Sequence, residues 1–451
     1  MSFDKKFYLD VKAKLDKVSP SFCLAKWMHV TLHLHNGQTH SCYHCTPHEI
    51  PKEQLKSDPS VLHNTPFKAE KRKEMLEGKR PKECDFCWSI EDLGGISDRM
   101  NMSSSDWTKS GFETIDKENP NQKIAPTYVE VSFSNTCNFK CSYCSPSASS
   151  RWYKEIAEEG AYPVRDKAFE YLPKQYVEEE NPYVEAWWKW LPEIYSGLKY
   201  LRLTGGEPLL SENTFKLMDY IIANKNQNLD FAVNSNLGVP SKVVERFVHK
   251  TKEVLRQNML RKFTVYTSLD TWGKQAEYIR NGLDLDLFRK NVDYYLSECP
   301  TAHLSFMITF QSLSLPNFSQ FLEYILDLKK RYNTNGNNRI EYSIDKLVKP
   351  THQSILTLPP EMNYLMDNIQ AFMKNRVGNS PYDLDPKQLD RFETVYEWMK
   401  QNQNHAEVHL DRADFFKFFS RHDQLRKTDF LDVFPEFFDF WNNCKKQIEE
   451  V

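Results

Sequence analysis

The chain has 451 residues, and Lys+Arg 59 against Asp+Glu 62 leaves a formal net charge of −3. That balance carries no basic excess to grip a nucleic-acid backbone, so non-specific DNA packaging is excluded. Hydrophobic residues at 40% supply a core, yet no run approaches the roughly 18 apolar residues of a spanning helix, and the start MSFDKKFYLD has no secretory apolar region. The expectation is a cytoplasmic protein with neither membrane nor nucleic acid as a partner.

Near the N-terminus, Val30, Leu32 and Leu34 alternate with Thr31, His33 and His35, and Asn36-Gly37 follows as a favoured two-residue hairpin turn. Two C-x2-C pairs come next, Cys42/Cys45 and Cys84/Cys87, a complete four-thiolate set in which each pair can hold two corners of one metal site. Zinc and iron-sulfur clusters both accept such ligands. Six of the 13 histidines fall between His29 and His48. His29, His33 and His35 share one face of a regular strand and are read as outward-facing polar residues, with none assigned as a ligand. The charged runs 68–79 and 178–180 read as solvated faces, and segment 100–126, rich in Ser, Asn, Lys and Asp, as a linker.

From Thr127 to Leu347 short strand-like runs alternate with helix-period segments, the pattern of a parallel βα repeat. Six strands are predicted: Thr127–Phe133, Leu198–Leu203, Asp230–Val233, Phe263–Leu269, His303–Thr309 and Ile340–Ile344. Between them apolar stripes recur at helical spacing, as in Val244, Phe247, Val248, Thr251 and Val254. The first crossover, Ser145 to Gly197, is long, and its Ala186-Trp187-Trp188-Lys189-Trp190 segment reads as a packed helix face rather than a lid. After Pro350 the βα rhythm ends in helix-like stretches and an aromatic-rich tail expected to cover an open end of the barrel. The predicted division is a Cys-rich hairpin module over 1–120, a barrel over 121–350 and a helical extension over 351–451. Cys23, Cys299 and Cys444 stand alone and read as buried small hydrophobes.

Directly after the first predicted βα strand, Cys137, Cys141 and Cys144 have C-x3-C-x2-C spacing. Three thiolates on one loop can bind three irons of a cubane cluster and leave the fourth open to an exogenous ligand. With Tyr143 before the third cysteine, this loop resembles that of the radical S-adenosylmethionine (SAM) superfamily. Thr204-Gly205-Gly206-Glu207-Pro208 after the second strand resembles the family's GGE motif. Ser268-Leu269-Asp270 after the fourth resembles its ribose-contacting motif.

The resemblance implies an α/β fold, a partial (β/α)6 TIM-type barrel, with a [4Fe-4S] cluster whose open iron takes SAM. It implies that Gly205 and Gly206 let the backbone approach the methionine moiety, that Glu207 accepts its ammonium, and that Arg280, 12 residues after Ser268, meets its carboxylate. Ser235 and Gln311 are implied as further polar contacts. Cys42, Cys45, Cys84 and Cys87 resemble an auxiliary-cluster module of the twitch or SPASM kind, placed before the barrel rather than after it; zinc is the alternative.

The implied activity is reductive cleavage of SAM to a 5′-deoxyadenosyl radical that abstracts hydrogen from a substrate. A peptide is the first choice; a sugar, nucleotide or other small metabolite is the second. An external one-electron reductant such as flavodoxin or ferredoxin is the implied partner, and no catalytic side chain is assigned. The reading from a different class, a non-catalytic metal-binding interaction protein, leaves Glu207, Ser268, Asp270 and Arg280 without a purpose.

Overall fold

Val129 and Val131, Leu201 and Leu203, and Phe231 and Val233 recur at every second position, and all are buried. Such spacing turns one face of each strand toward covering helices and leaves Glu130 and Arg202, opposite one another in register, on the other face. In the computed structural model, which describes residues 5–177, 180–256, 258–334 and 336–448, the strands are β1 (His29–His33), β2 (Gln38–His40), β3 (His48–Glu49), β4 (Tyr128–Ser132), β5 (Lys140–Cys141), β6 (Tyr200–Thr204), β7 (Asp230–Asn234), β8 (Lys262–Ser268), β9 (Arg280–Asn281), β10 (His303–Phe310) and β11 (Ile340–Lys346). Glu178 and Glu179 of the acidic run lie outside the described residues.

Nine of these strands form one sheet in the order β11-β10-β8-β7-β6-β4-β1-β2-β3, and β5 pairs with β9 separately. From β4 to β11 the six βα strands are parallel neighbours in chain order. The partial six-stranded α/β barrel is therefore present, its strands within two residues of their predicted bounds. Helices Ser241–Arg256, Leu285–Glu298 and Phe318–Tyr332 bury the predicted apolar stripes. Each fully buried Phe, Val or Leu contributes about 1.5–3 kcal/mol, which is what fixes these crossovers against the sheet.

Three expectations are corrected at the N-terminal side, and one pairing is added to them. The hairpin turn is longer than two residues, because His33 pairs with Gln38 and four residues lie between them. The added pairing is that of β1 in parallel with β4, from His29↔Tyr128 to His33↔Ser132, so the hairpin extends the barrel sheet. Second, the run 68–79 is not wholly solvated: helix Pro66–Leu76 buries Lys68 and Arg72. Lys68 donates to Thr39 Oγ1 and the His40 carbonyl, while Arg72 donates to the Lys26 carbonyl and Asn64. Their side-chain nitrogens thereby satisfy the buried carbonyl oxygens of His40 and Lys26. Third, segment 100–126 begins inside a helix, Asp98–Ser103, and Trp107 packs against His29 and Tyr128.

Helix Pro182–Ile194 starts at Asn181, whose side chain accepts from the Tyr183 and Val184 amides and donates to the Leu34 carbonyl. It buries Trp187 and Trp190, so the tryptophan-rich segment is a packed face. The C-terminal extension divides its work. Helix Pro386–Asn402 lies along β11, with Arg391 paired to Asp345 and Lys346 over the Trp398 ring. Helix Val408–Arg426 instead sets Phe418 against Trp152, Tyr162 and Phe169, the segment that follows the three-cysteine loop. The aromatic tail thus backs the cysteine loop from outside.

Candidate functional site

The three-cysteine loop is held by backbone before any side chain acts. Lys140 and Cys141 pair antiparallel with Asn281 and Arg280, and the Ser142 amide donates to the Ile279 carbonyl at 2.7 Å. On its other flank the turn after β6 passes against residues 134–136: the Gly206 amide donates to Ser134 O and the Glu207 amide to Thr136 O. A Cβ on Gly205, which has φ +129°, would lie 2.5 Å from the Ser134 carbonyl oxygen; on Gly206 it would lie 2.4 Å from the Asn135 and Thr136 oxygens. The two glycines are thus needed for backbone to meet backbone just ahead of Cys137.

Cys137 Sγ accepts from the Phe139 amide at 3.4 Å, and Arg280 Nη1 stands 3.6 Å from Cys141 Sγ. Burial pushes all three thiols up, Cys144 to about 12, while the Arg280 cation opposes the rise at Cys141. Register alone puts Arg280 there, since its backbone is the partner of Cys141. Its fork is already engaged: Nε and Nη2 donate to the two oxygens of Asp270 at 2.9 and 3.0 Å. Asp270 also accepts from Tyr143 Oη and the Thr309 amide, so four donors surround one buried carboxylate. Sequence spacing gave no sign that Asp270, Arg280 and Tyr143 form one unit.

Glu207 is buried and similarly occupied. It accepts from Ser235 Oγ at 2.8 Å and from the Leu209 and Asn236 amides, while burial raises its carboxyl to about 7. Ser268 ends β8, half-buried beside Asp270. Gln311, directly after β10, is fully buried, and its carboxamide nitrogen has no hydrogen-bond partner among the described residues. Three thiols on one loop, a cation beside them and an unpartnered buried carboxamide nitrogen are a donor set that fits an iron-sulfur cluster with one position left for a polar ligand.

The unburied faces of β4, β6, β7, β10 and β11 enclose a cavity of about 800 Å³ lined by Glu130, Arg202, Asn234, Met307 and Asp345, among others. Gly205 and Ser147, from the turn after β6 and the loop after Cys144, lie in its wall. Arg202 donates to Asn234 Oδ1 at 2.7 Å and sits 4.5 Å from the Tyr266 ring centre. Because β1 joins the sheet, His33 and His35 also line this lumen. The reading of that histidine face as outward is corrected: pairing with β4 turns it into the barrel.

Partners fix the tautomers. His35 Nε2 faces the Ser147 carbonyl and Nδ1 the Ser132 hydroxyl, so both ring nitrogens are used. His40 Nδ1 faces the Cys42 carbonyl at 2.6 Å, which requires the proton on Nδ1 and leaves Nε2 as acceptor for His33 Nε2 at 3.1 Å. Neutral His33 then keeps Nδ1 unprotonated. Burial lowers His33 to about 3 and His35 to about 4, which keeps both rings neutral.

Cys42, Cys84 and Cys87 line another cavity, with Lys26 and Arg99 in its wall. Cys42 and Cys45 sulfurs are 3.6 Å apart, and Cys45, Cys84 and a Glu83 oxygen lie within 4.8 Å of one another. Lys26 pairs with Glu83 and stands 3.6 Å from Cys45 Sγ. Cys23 lines the same cavity, which its solitary place in the sequence does not signal; Cys299 and Cys444 are buried as expected. Tyr43, between Cys42 and His44, reaches the barrel lumen, whose wall also holds Ser147 and Ala148 from the segment after Cys144.

The radical SAM superfamily domain matches residues 131–325. GTP 3′,8-cyclase of Sulfurimonas denitrificans is 25% identical over 207 residues, 45% of this chain and 52% of that protein. The Campylobacter lari GTP 3′,8-cyclase is 26% identical over 208 residues, with the same shares. The chain thus spans about half the length of these curated relatives. Among solved structures, Streptococcus suis SuiB bound to S-adenosylmethionine is 12% identical with a TM-score of 0.37, covering 77% of this chain and 69% of that one. Native anSMEcpe with bound AdoMet is 15% identical with a TM-score of 0.32, covering 66% and 62%. The three-cysteine loop after β4 and the Gly-Gly-Glu turn after β6 both lie inside residues 131–325, the region that matches the radical SAM superfamily.

Proposed function

We propose that the protein is a SAM-cleaving enzyme acting on a substrate held in the barrel lumen. The observation that carries this reading is convergence: Ser147 and Ala148, just after the three cysteines, and Gly205 of the Gly-Gly turn line one cavity, and the turn is hydrogen-bonded to residues 134–136 just ahead of Cys137. Cys137, Cys141 and Cys144 hold a [4Fe-4S] cluster which, with SAM bound, supplies a 5′-deoxyadenosyl radical for hydrogen abstraction. In this reading Gly205, Gly206, Ser268 and Gln311 face SAM. Glu207, with Ser235 beside it, accepts the SAM ammonium, Arg280 meets the SAM carboxylate, and Asp270, which Tyr143 and Arg280 hold in place, stands at the ribose. The electron comes from an external one-electron reductant such as flavodoxin or ferredoxin.

A peptide is the first choice of substrate and a small metabolite the second. A nucleotide, named for the relatives, stays within that second choice and ranks below a peptide: among the described lining residues Arg202 is the one Arg or Lys, set against Glu130 and Asp345, whereas a triphosphate calls for a surplus of such cations. Cys42, Cys45, Cys84 and Cys87 hold an auxiliary [4Fe-4S] cluster for electron transfer. Structural zinc is the second reading, favoured by the 3.6 Å between Cys42 and Cys45 sulfurs, since Zn–S bonds of about 2.3 Å put tetrahedral ligands roughly 3.8 Å apart.

The test is iron, sulfide and zinc per chain after oxygen-free reconstitution, followed by 5′-deoxyadenosine formation with a strong reductant. About eight irons and eight sulfides support two clusters; about four of each with one zinc leave radical chemistry standing and remove the relay. Cys141→Ala is expected to abolish 5′-deoxyadenosine, and Cys84→Ala to impair the auxiliary site while sparing some cleavage. A loaded protein that never yields 5′-deoxyadenosine overturns the reading.

A further inference from the structure

We propose that the lumen is the inner end of a path for an extended peptide, whose outer end is the groove between β3 and residues 171–176; this deepens the substrate reading above and rests on it. The lumen does not close on itself. Asn36, Gln38, Tyr171 and Pro173 line both it and a second cavity of about 540 Å³. Together the two exceed the roughly 300–1,000 Å³ that encloses a small ligand. A compact metabolite has no use for the outer half, whereas a chain with one residue inserted in the lumen must leave through such an opening.

The walls of the outer cavity suit a peptide in particular. β3 is the outermost strand of the sheet and, among the described residues, pairs with β2 alone, so its other side is an edge to which an extended backbone can add. Opposite this edge, Tyr176 lies between Lys52 and Lys174, whose amines are 5.5 and 4.9 Å from its ring centre. Glu49 and Glu53 share the groove with these lysines. Mixed charge with accessible tyrosine rings matches side chains of varied type; a polyanion would want the lysines without the carboxylates. The segment is tied to the lumen itself, because the Tyr176 amide donates to the carbonyl of His35. The floor is fixed, with Tyr183 packed so closely on Gly37 that a Cβ there would lie 2.4 Å from the ring.

The test is selection of a phage-displayed random dodecapeptide library on the anaerobically loaded full-length protein, with affinities of the enriched peptides then measured by fluorescence anisotropy. Enriched peptides are expected to bind at least tenfold more weakly to Tyr176→Ala and Lys174→Glu, and near-normally to Tyr176→Phe, with melting temperatures showing that each variant is folded. No enrichment over the starting library, or enriched peptides that bind these variants as they bind the wild type, overturns the proposal. Wild-type 5′-deoxyadenosine formation is scored separately. Its absence with intact peptide binding removes the radical reading alone; its presence without groove-dependent binding removes the peptide path alone.

Discussion

Ser142 and Gln353, 211 residues apart, exchange two hydrogen bonds: Ser142 Oγ donates to Gln353 Oε1 at 2.7 Å, and Gln353 Nε2 donates to the Ser142 carbonyl at 2.9 Å. Both residues are fully buried. The carboxamide of the C-terminal extension is therefore a clamp on the middle of the three-cysteine loop. Gln353→Ala leaves a buried hydroxyl and carbonyl without partners, at about 1–3 kcal/mol for each group. A urea titration should show the lost stability, and the variant should retain less iron than the wild type after gel filtration.

Gly206→Ala tests how the loop is placed. The added methyl meets the Asn135 and Thr136 carbonyl oxygens at 2.4 Å, and backbone on that side cannot yield without moving Cys137. The expected result is a folded protein by circular dichroism whose barrel-site iron and sulfide fall well below wild type. Normal loading of both would show that the loop tolerates the displacement.

Asp270→Asn probes the unit around Arg280. It removes the charge that pairs with a buried guanidinium, a change that costs about 3–5 kcal/mol when one partner of such a pair is lost. Denaturant unfolding of the apoprotein reads this cost without any cofactor. A loss below about 1 kcal/mol would mean that water or Tyr143 compensates.

His422 gives the protein an acid-sensitive element. Burial among Tyr278, Phe418 and Phe419 lowers it to about 4, against the opposing pull of the Asp423 carboxylate 3.7 Å from Nδ1. Between pH 6.5 and 4 the unfolded chain binds the proton and the folded one does not, so this contribution is complete above about 6.5 and is lost as pH falls toward 4. One such group accounts for up to about 2 kcal/mol between pH 7.5 and 5. In His422→Leu the fall in unfolding free energy over that range should be smaller by this amount.

Trp187→Ala tests the packing assignment of the tryptophan-rich segment. Its side chain is fully buried beneath the sheet near Phe133, and truncation is expected to cost about 3–5 kcal/mol. A lid residue would leave the melting temperature unchanged.

The six barrel strands, the three crossover helices and the spacing of the cysteine motifs were determined by the sequence itself. Period-two and helical apolar patterns are local, and so is a chelate built within eight residues of one loop. Tertiary structure decided what those patterns face. His29, His33 and His35 share a strand face on any reading, but only the pairing of β1 with β4, about 100 residues away, brings His33 and His35 into the lumen wall. Arg280 is a lone arginine until its backbone pairs with Cys141 and its side chain meets Asp270. Cys23 likewise reaches the auxiliary cavity, and Gln353 reaches Ser142, through contacts between distant segments. Such contacts leave no period in the chain, because they are set by register and docking of whole elements, whose free energy comes from burial summed over many residues rather than from any local preference.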